Sequence, residues 1–151
     1  MRSFHCLITT SFLFLLAASA SAGDAAILGK WTTKEGKSHV EISECEAGLC
    51  GKVVWLRDPV YPADDKQGMA GKKKIDRENP EPKMRRTPIL GLTVLKGFKS
   101  NSGKVWEDGT IYDPENGKTY KCKLTLSDPK QLDVRGYIGF SWIGRTTTWT
   151  R

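Results

Sequence analysis

Cys45 and Cys50 flank Glu46-Ala47-Gly48-Leu49, a stretch that separates two β-like runs. A hairpin there sets the two thiols opposite each other, and a disulfide follows. Redox catalysis is the sharper alternative, but a working dithiol has Cys-x-x-Cys spacing at a helix start, which lowers the thiol pKa; this pair has neither. Cys122 alternates with Tyr120 and Leu124 and reads as a small buried hydrophobe. His39 adjoins Val40 and Ile42 in a run whose apolar face is theirs, so its ring is expected to meet solvent and a nucleophilic triad lacks a base. A glycosidase needs only two acids facing a sugar. Asp108, Asp113 and Asp133 are the candidates by position, yet Asp108 and Asp113 adjoin Gly109 and Pro114 and suit turns better. Two near-neighbour thiols and one distant one do not give the paired spacing of a structural zinc site. No catalytic group, metal or cofactor is expected.

Anion capture is better represented. Residues 58–88 are polar, punctuated by Pro59, Pro62, Pro80, Pro82 and Pro88, and carry Lys72, Lys73, Lys74, Arg77, Lys83, Arg85 and Arg86. Connections of this length in compact domains are commonly functional or mobile, and guanidinium forks suit carboxylate or phosphate heads. Arg77, Asn79, Arg85 and Arg86 are therefore candidate ligand contacts. Trp55, Tyr112 and Tyr120 join them, since Trp and Tyr pair a large apolar body with a polar tip and suit a barrel core or a ligand cavity equally. Arg135 shares a strand face with Tyr137, opposite Leu132, Val134 and Ile138. If the leucine face points inward Arg135 meets solvent; otherwise it is a buried charge in need of a partner.

The elements that must position these groups are strands. β-like runs recur every ten or so residues, at Leu28–Thr33, Ser38–Glu44, Gly51–Arg57, Leu90–Lys99, Lys104–Tyr112, Lys118–Leu126, Gln131–Ile138 and Phe140–Thr150. Tyr120, Cys122, Leu124 and Leu126 share one face while Lys121, Lys123 and Thr125 take the other, the mark of a sheet wet on one side. Tight connections such as Pro114-Glu115-Asn116-Gly117 and Ser127-Asp128-Pro129-Lys130 imply antiparallel neighbours. Eight such strands predict an all-β, up-and-down barrel ahead of a sandwich, with the long polar loop between strands three and four.

The chain has 151 residues and a net charge of +7, enough for one barrel domain over residues 23–151. Arg2, the apolar run Phe12 to Ala18 and the small-x-small site Ala20-Ser21-Ala22 read as a signal peptide over residues 1–22, too short and too interrupted for a membrane span. Its removal takes away Arg2, His5 and Cys6 and leaves 129 residues with a net charge of +6. Nucleic acid is a poor partner, because no basic-aromatic stripe is present.

Gly29-Lys30-Trp31 on the first strand, with Arg145, Trp149 and Arg151 on the last, resembles the calycin pattern of lipocalins, in which the tryptophan packs at the barrel base against a basic side chain of the closing strand, here Arg145 or Arg151. A fuller resemblance runs through Gly29-Lys30-Trp31-Thr32-Thr33, Cys45, Leu49-Cys50-Gly51-Lys52-Val53-Val54-Trp55-Leu56, Asp76-Arg77-Glu78-Asn79-Pro80, Pro88-Ile89-Leu90-Gly91-Leu92, Gly109-Thr110-Ile111-Tyr112-Asp113-Pro114, Val134-Arg135-Gly136-Tyr137 and Gly144 to Arg151. In these the chain is similar to a secreted bacterial family, domain of unknown function 2147. The resemblance implies a periplasmic or secreted lipocalin-like barrel of a Gram-negative bacterium and assigns no activity. Two positions depart from the pattern: Thr87 stands where a second cation is expected, with Arg86 as a possible substitute, and Cys122 where a non-thiol is. The expectation is a non-enzymatic binder of a small amphipathic, anionic ligand. The alternatives are a filled-core module binding an acidic cell-envelope component, then a carboxylate hydrolase.

Overall fold

The computed structural model describes residues 22–151. The leader expected at residues 1–22 lies, apart from Ala22, outside the described residues. A short helix α1 (Ala22–Ile27) leads into β1 (Gly29–Thr32), β2 (Ser38–Cys45), β3 (Gly48–Leu56), β4 (Thr93–Ser100), β5 (Val105–Asp113), β6 (Lys118–Asp128), β7 (Gln131–Tyr137) and β8 (Gly144–Thr150). Each strand pairs antiparallel with the next, and β1 closes on β8 through the single register pair Thr32–Thr150, giving a closed barrel in simple up-and-down order. The expected fold class is the observed one. The β1–β8 seam is thin, since residues 144–149 of β8 have no register partner on β1.

Alternation decides what faces inward. Cys122 and Leu124 of β6 are fully buried, as are Leu132 and, nearly so, Val134 of β7. The leucine face of β7 therefore points in, and Arg135 points out. β5 breaks the alternation at Asp108, whose φ is +62°, with a register shift between Trp106 and Gly109. The bulge turns Gly109 inward where a Cβ would lie 2.4 Å from the Phe98 ring, so only glycine lets that ring occupy the core.

The lower part of the barrel is filled by Trp31, Trp106, Phe98, Ile42, Leu95, Leu124 and Leu132. Ile27 of α1 is also fully buried, and Trp31 Nε1 donates to its carbonyl at 2.7 Å. Arg151 seals this end. Its guanidinium lies 4.0 Å over the Trp31 ring and donates to the carbonyls of Leu28 at 2.9 Å, Pro129 at 3.0 Å and Ala26. Gly29, at φ +103°, would place a Cβ 3.8 Å from that guanidinium. Of the two arginines considered for the base, Arg151 holds it. Arg145 lies near the opposite end, six residues earlier on a strand that rises about 3.3 Å per residue.

Cys45 and Cys50 form a disulfide across the β2–β3 hairpin at the closed end. Cys122 is a free, buried thiol, pushed up to about 12 by burial and so inert as a nucleophile at neutral pH. His39 lies opposite Trp55 on the outer surface, their rings stacked with centroids 4.5 Å apart.

Candidate functional site: a half-hollow barrel under an ordered loop

Above the filled base the barrel opens into a cavity of about 1190 Å3. Its inner wall is apolar: Val40, Val53, Ile89, Val94, Ile111, Val134 and Trp149, with Tyr120 and Thr147 between them. The barrel is thus filled below, by Trp31, Trp106, Phe98 and their leucine neighbours, and hollow above, where mainly β-branched side chains line the wall beside Trp149 and Tyr120.

Residues 57–92, between β3 and β4, form an ordered lid. Isolated bridges pair Val60 with Lys73, Tyr61 with Ala70 and Ile75 with Pro88. The buried Tyr61 hydroxyl donates to the Ile75 carbonyl at 2.9 Å and accepts its N–H at 3.2 Å. The lid is fastened to the barrel through Asp76, which is fully buried: the Tyr112 hydroxyl of β5 donates to its Oδ1 at 2.6 Å and Asn79 Nδ2 to its Oδ2 at 2.6 Å. Burial, then the bond to Asp76, hold the Tyr112 phenol well above its ordinary pKa, so it stays a donor across the physiological range.

Arg77 is committed within the lid, donating to Asp65 at 2.7 Å and lying 4.3 Å over the Tyr61 ring. Asp65 also accepts N–H bonds from Met69 and Gln67. The Arg77 bond, followed by the Met69 N–H, holds the Asp65 carboxyl below its usual range. Because the folded value is the lower one, this contribution is complete above the unfolded value near 4 and is lost as pH falls through the folded one. Asp65→Asn is therefore expected to unfold at lower urea than the parent at neutral pH, and the gap should close in strong acid. A gap that persists at the acidic end would show that the pair is not what the substitution removes.

The structure separates the candidate ligand residues. Tyr112, Tyr120 and Arg77 line the cavity. Arg85 is exposed, outside the cavity lining, and donates to the Asn79 carbonyl at 2.8 Å; Arg86 is exposed on the same turn; Asn79 serves Asp76. Trp55 is on the outer surface against His39. Arg135, outward on β7, donates to the carbonyls of Ser141 and Trp142 and to Thr146 Oγ1. The catalytic-acid candidates do not converge either. Asp108 is exposed at the bulge, Asp133 accepts from Thr148 on the outer face, and Asp113, at the cavity mouth, accepts from Glu115 N and Asn116 Nδ2 in the β5–β6 turn.

Of the lining cations only Arg77 was singled out for ligand binding from the sequence; Arg145 and Lys74 are the ones that matter among the rest. β8 places Arg145, Thr147 and Trp149 on one face, opposite Gly136, Val134 and Leu132 of β7. Trp149 is buried, so Arg145, two steps along the same face, stands on the inward side of β8 while remaining solvent-exposed at the rim; the period-two spacing from Trp149 was the available signal. The other lining cations Lys34, Lys37, Arg57 and Arg77 sit within 4 Å of carboxylates. Arg145 and Lys74 have no ion-pair partner among the described residues.

A closed eight-stranded meander, sealed below by a tryptophan–arginine contact and hollow above, defines a lipocalin-like barrel. The chain belongs to the family described as "Uncharacterized protein conserved in bacteria (DUF2147)", whose profile matches residues 29–151. Among solved structures it is similar to the protein HP1028 of Helicobacter pylori, described as belonging to the lipocalin family, with a TM-score of 0.68 and 24% identity over 82% of this chain and 81% of that one. That likeness is one of fold. No curated protein matches the chain.

Proposed function

We propose that the protein binds a small amphipathic anion, its apolar part in the upper barrel and its head at Arg145, with Lys74 adding charge from the lid. The observation that carries this is a cavity of about 1190 Å3, apolar on its inner wall and polar at its mouth, with an exposed guanidinium on the inward side of its rim that no carboxylate neutralises. The six lining acids are engaged: Glu35, Asp58, Asp65, Glu78 and Glu115 in ion pairs, Asp113 in its turn. An anionic head thus meets free cations and spent acids. The filled base limits how deep an alkyl or ring system can reach. The Cys45–Cys50 disulfide is consistent with the oxidising, extracytoplasmic location expected of an exported protein, which we place in the periplasm or outside the cell.

Titration of fatty acids against their alcohols, followed by tryptophan fluorescence, tests the reading. The acid is expected to bind more tightly than the alcohol. Arg145→Ala should weaken the acid by about 1–3 kcal/mol, the scale of a charge-assisted hydrogen bond, and leave the alcohol unchanged. Arg85→Ala should change neither. Equal binding of acid and alcohol by the parent, or an Arg145→Ala variant that binds the acid as the parent does, refutes the headgroup assignment.

A further inference from the structure

Among the described residues, the large hydrophobic side chains left exposed gather at one end of the barrel. Trp55 is the next-to-last residue of β3, Val60, Met84 and Leu90 lie on the lid, and Ile138, Phe140, Trp142 and Ile143 occupy the β7–β8 connection. The last four are 70%, 61%, 71% and 62% exposed, values that exclude a core role. The connections at the closed end, between β2 and β3, β4 and β5, and β6 and β7, carry none. Concentrated apolar exposure of this kind marks an interaction surface.

The β7–β8 tip is a built feature. Phe140 and Trp142 stack with centroids 4.5 Å apart and planes 6° from parallel. Arg135 holds the loop from the side by donating to the carbonyls of Ser141 and Trp142 and to Thr146 Oγ1. The apolar side chains are thereby presented outward.

We propose that this open rim docks on an anionic lipid bilayer, with Phe140, Trp142 and the flanking isoleucines entering the boundary between headgroups and acyl chains. Aromatic and aliphatic side chains on a protruding loop suit that boundary. Charge agrees: Lys72 and Lys73 are exposed on the lid, Lys74 and Arg145 lie at the cavity mouth, and none of the four has an ion-pair partner among the described residues. Basic groups beside an inserted loop add attraction to anionic headgroups. A protein partner is the weaker match, because the exposed apolar side chains sit on a loop rather than along a strand edge and the tip projects where a partner helix would need a groove. The docking does not depend on the ligand reading, but Ile138 and Ile143 also line the cavity, so a docked barrel would present its mouth to the lipid.

Sedimentation with phosphatidylcholine vesicles, with and without phosphatidylglycerol, tests this on the purified protein. Binding should favour the anionic vesicles, and the joint variant Phe140→Ser with Trp142→Ser should lower partitioning by about tenfold or more. Lys72, Lys73 and Lys74 changed to Gln should remove the preference for anionic lipid. Arg135→Ala, which deletes no apolar group, should weaken binding, with Arg135→Lys restoring part of it. Brominated lipid should quench a fluorescence component that Trp142→Phe removes. Circular dichroism and the urea midpoint establish that each variant is folded. Parent-like binding by the Phe140/Trp142 variant, absence of the Trp142 quench, or loss of a dimer rather than of vesicle binding would each overturn the proposal.

Discussion

Arg151→Ala is expected to lower the unfolding free energy by about 2–4 kcal/mol, the sum of a cation–π contact and charged hydrogen bonds discounted for partial exposure. One guanidinium joins the Trp31 ring, the end of α1, the residue before β1 and the β6–β7 turn. Removing it frees three carbonyls and uncovers the face of a fully buried tryptophan. Arg151→Lys should recover only a minor part, since a single ammonium cannot stack and reach three acceptors together. Arg145→Ala, near the other end of the same strand, should stay within about 0.5 kcal/mol of the parent. The measurement is urea unfolding at constant m. A parent-like midpoint for Arg151→Ala would mean that the base is held by packing alone.

Asp76→Ala is the second large effect, about 2–4 kcal/mol, because it leaves the Tyr112 hydroxyl and the Asn79 amide without their shared buried acceptor. Its signature is coupling. Adding Tyr112→Phe removes one of the stranded donors, so the double variant should cost less than the two single ones summed. Limited proteolysis should move into residues 57–92 in Asp76→Ala before the barrel itself is cut. Additive costs, or a lid that resists cleavage as before, would show that Tyr112–Asp76 is not the fastening.

These two sites also show what the sequence discloses. Gly29-Lys30-Trp31 and the terminal arginines announce the base because a period-two strand and a tryptophan leave few partners, though spacing alone did not choose between Arg145 and Arg151. The eight strands follow from alternation. The last was expected from Phe140 and begins at Gly144, because Phe140, Trp142 and Ile143 have strand-like side chains whereas Gly139, at φ +72°, turns the chain away. Asp76 and Asn79 were harder. In a polar, proline-marked segment an acid and an amide look like surface groups, and only the fold reveals that Tyr112 comes down on them from β5. Arg85 and Arg86 stand out in the sequence by charge density, which says nothing about which side of a loop faces the cavity; both are exposed and outside its lining.

The barrel closes through one bridging pair, Thr32 with Thr150, contributed by its two outermost strands. Every other seam joins neighbours in sequence and, except for β3–β4 with residues 57–92 between them, can form as a local hairpin at little cost in chain entropy. The last seam must draw together residues near opposite ends of the barrel sequence, and it gains little ladder in return. Folding of this chain therefore sets fast local steps against the β3–β4 closure and, slowest of all, this last encounter. Arg151, a residue beyond the final strand, is the group that makes the encounter hold. Kinetically, Arg151 is expected to act as a late clasp: weakening it should raise the unfolding rate far more than it slows folding.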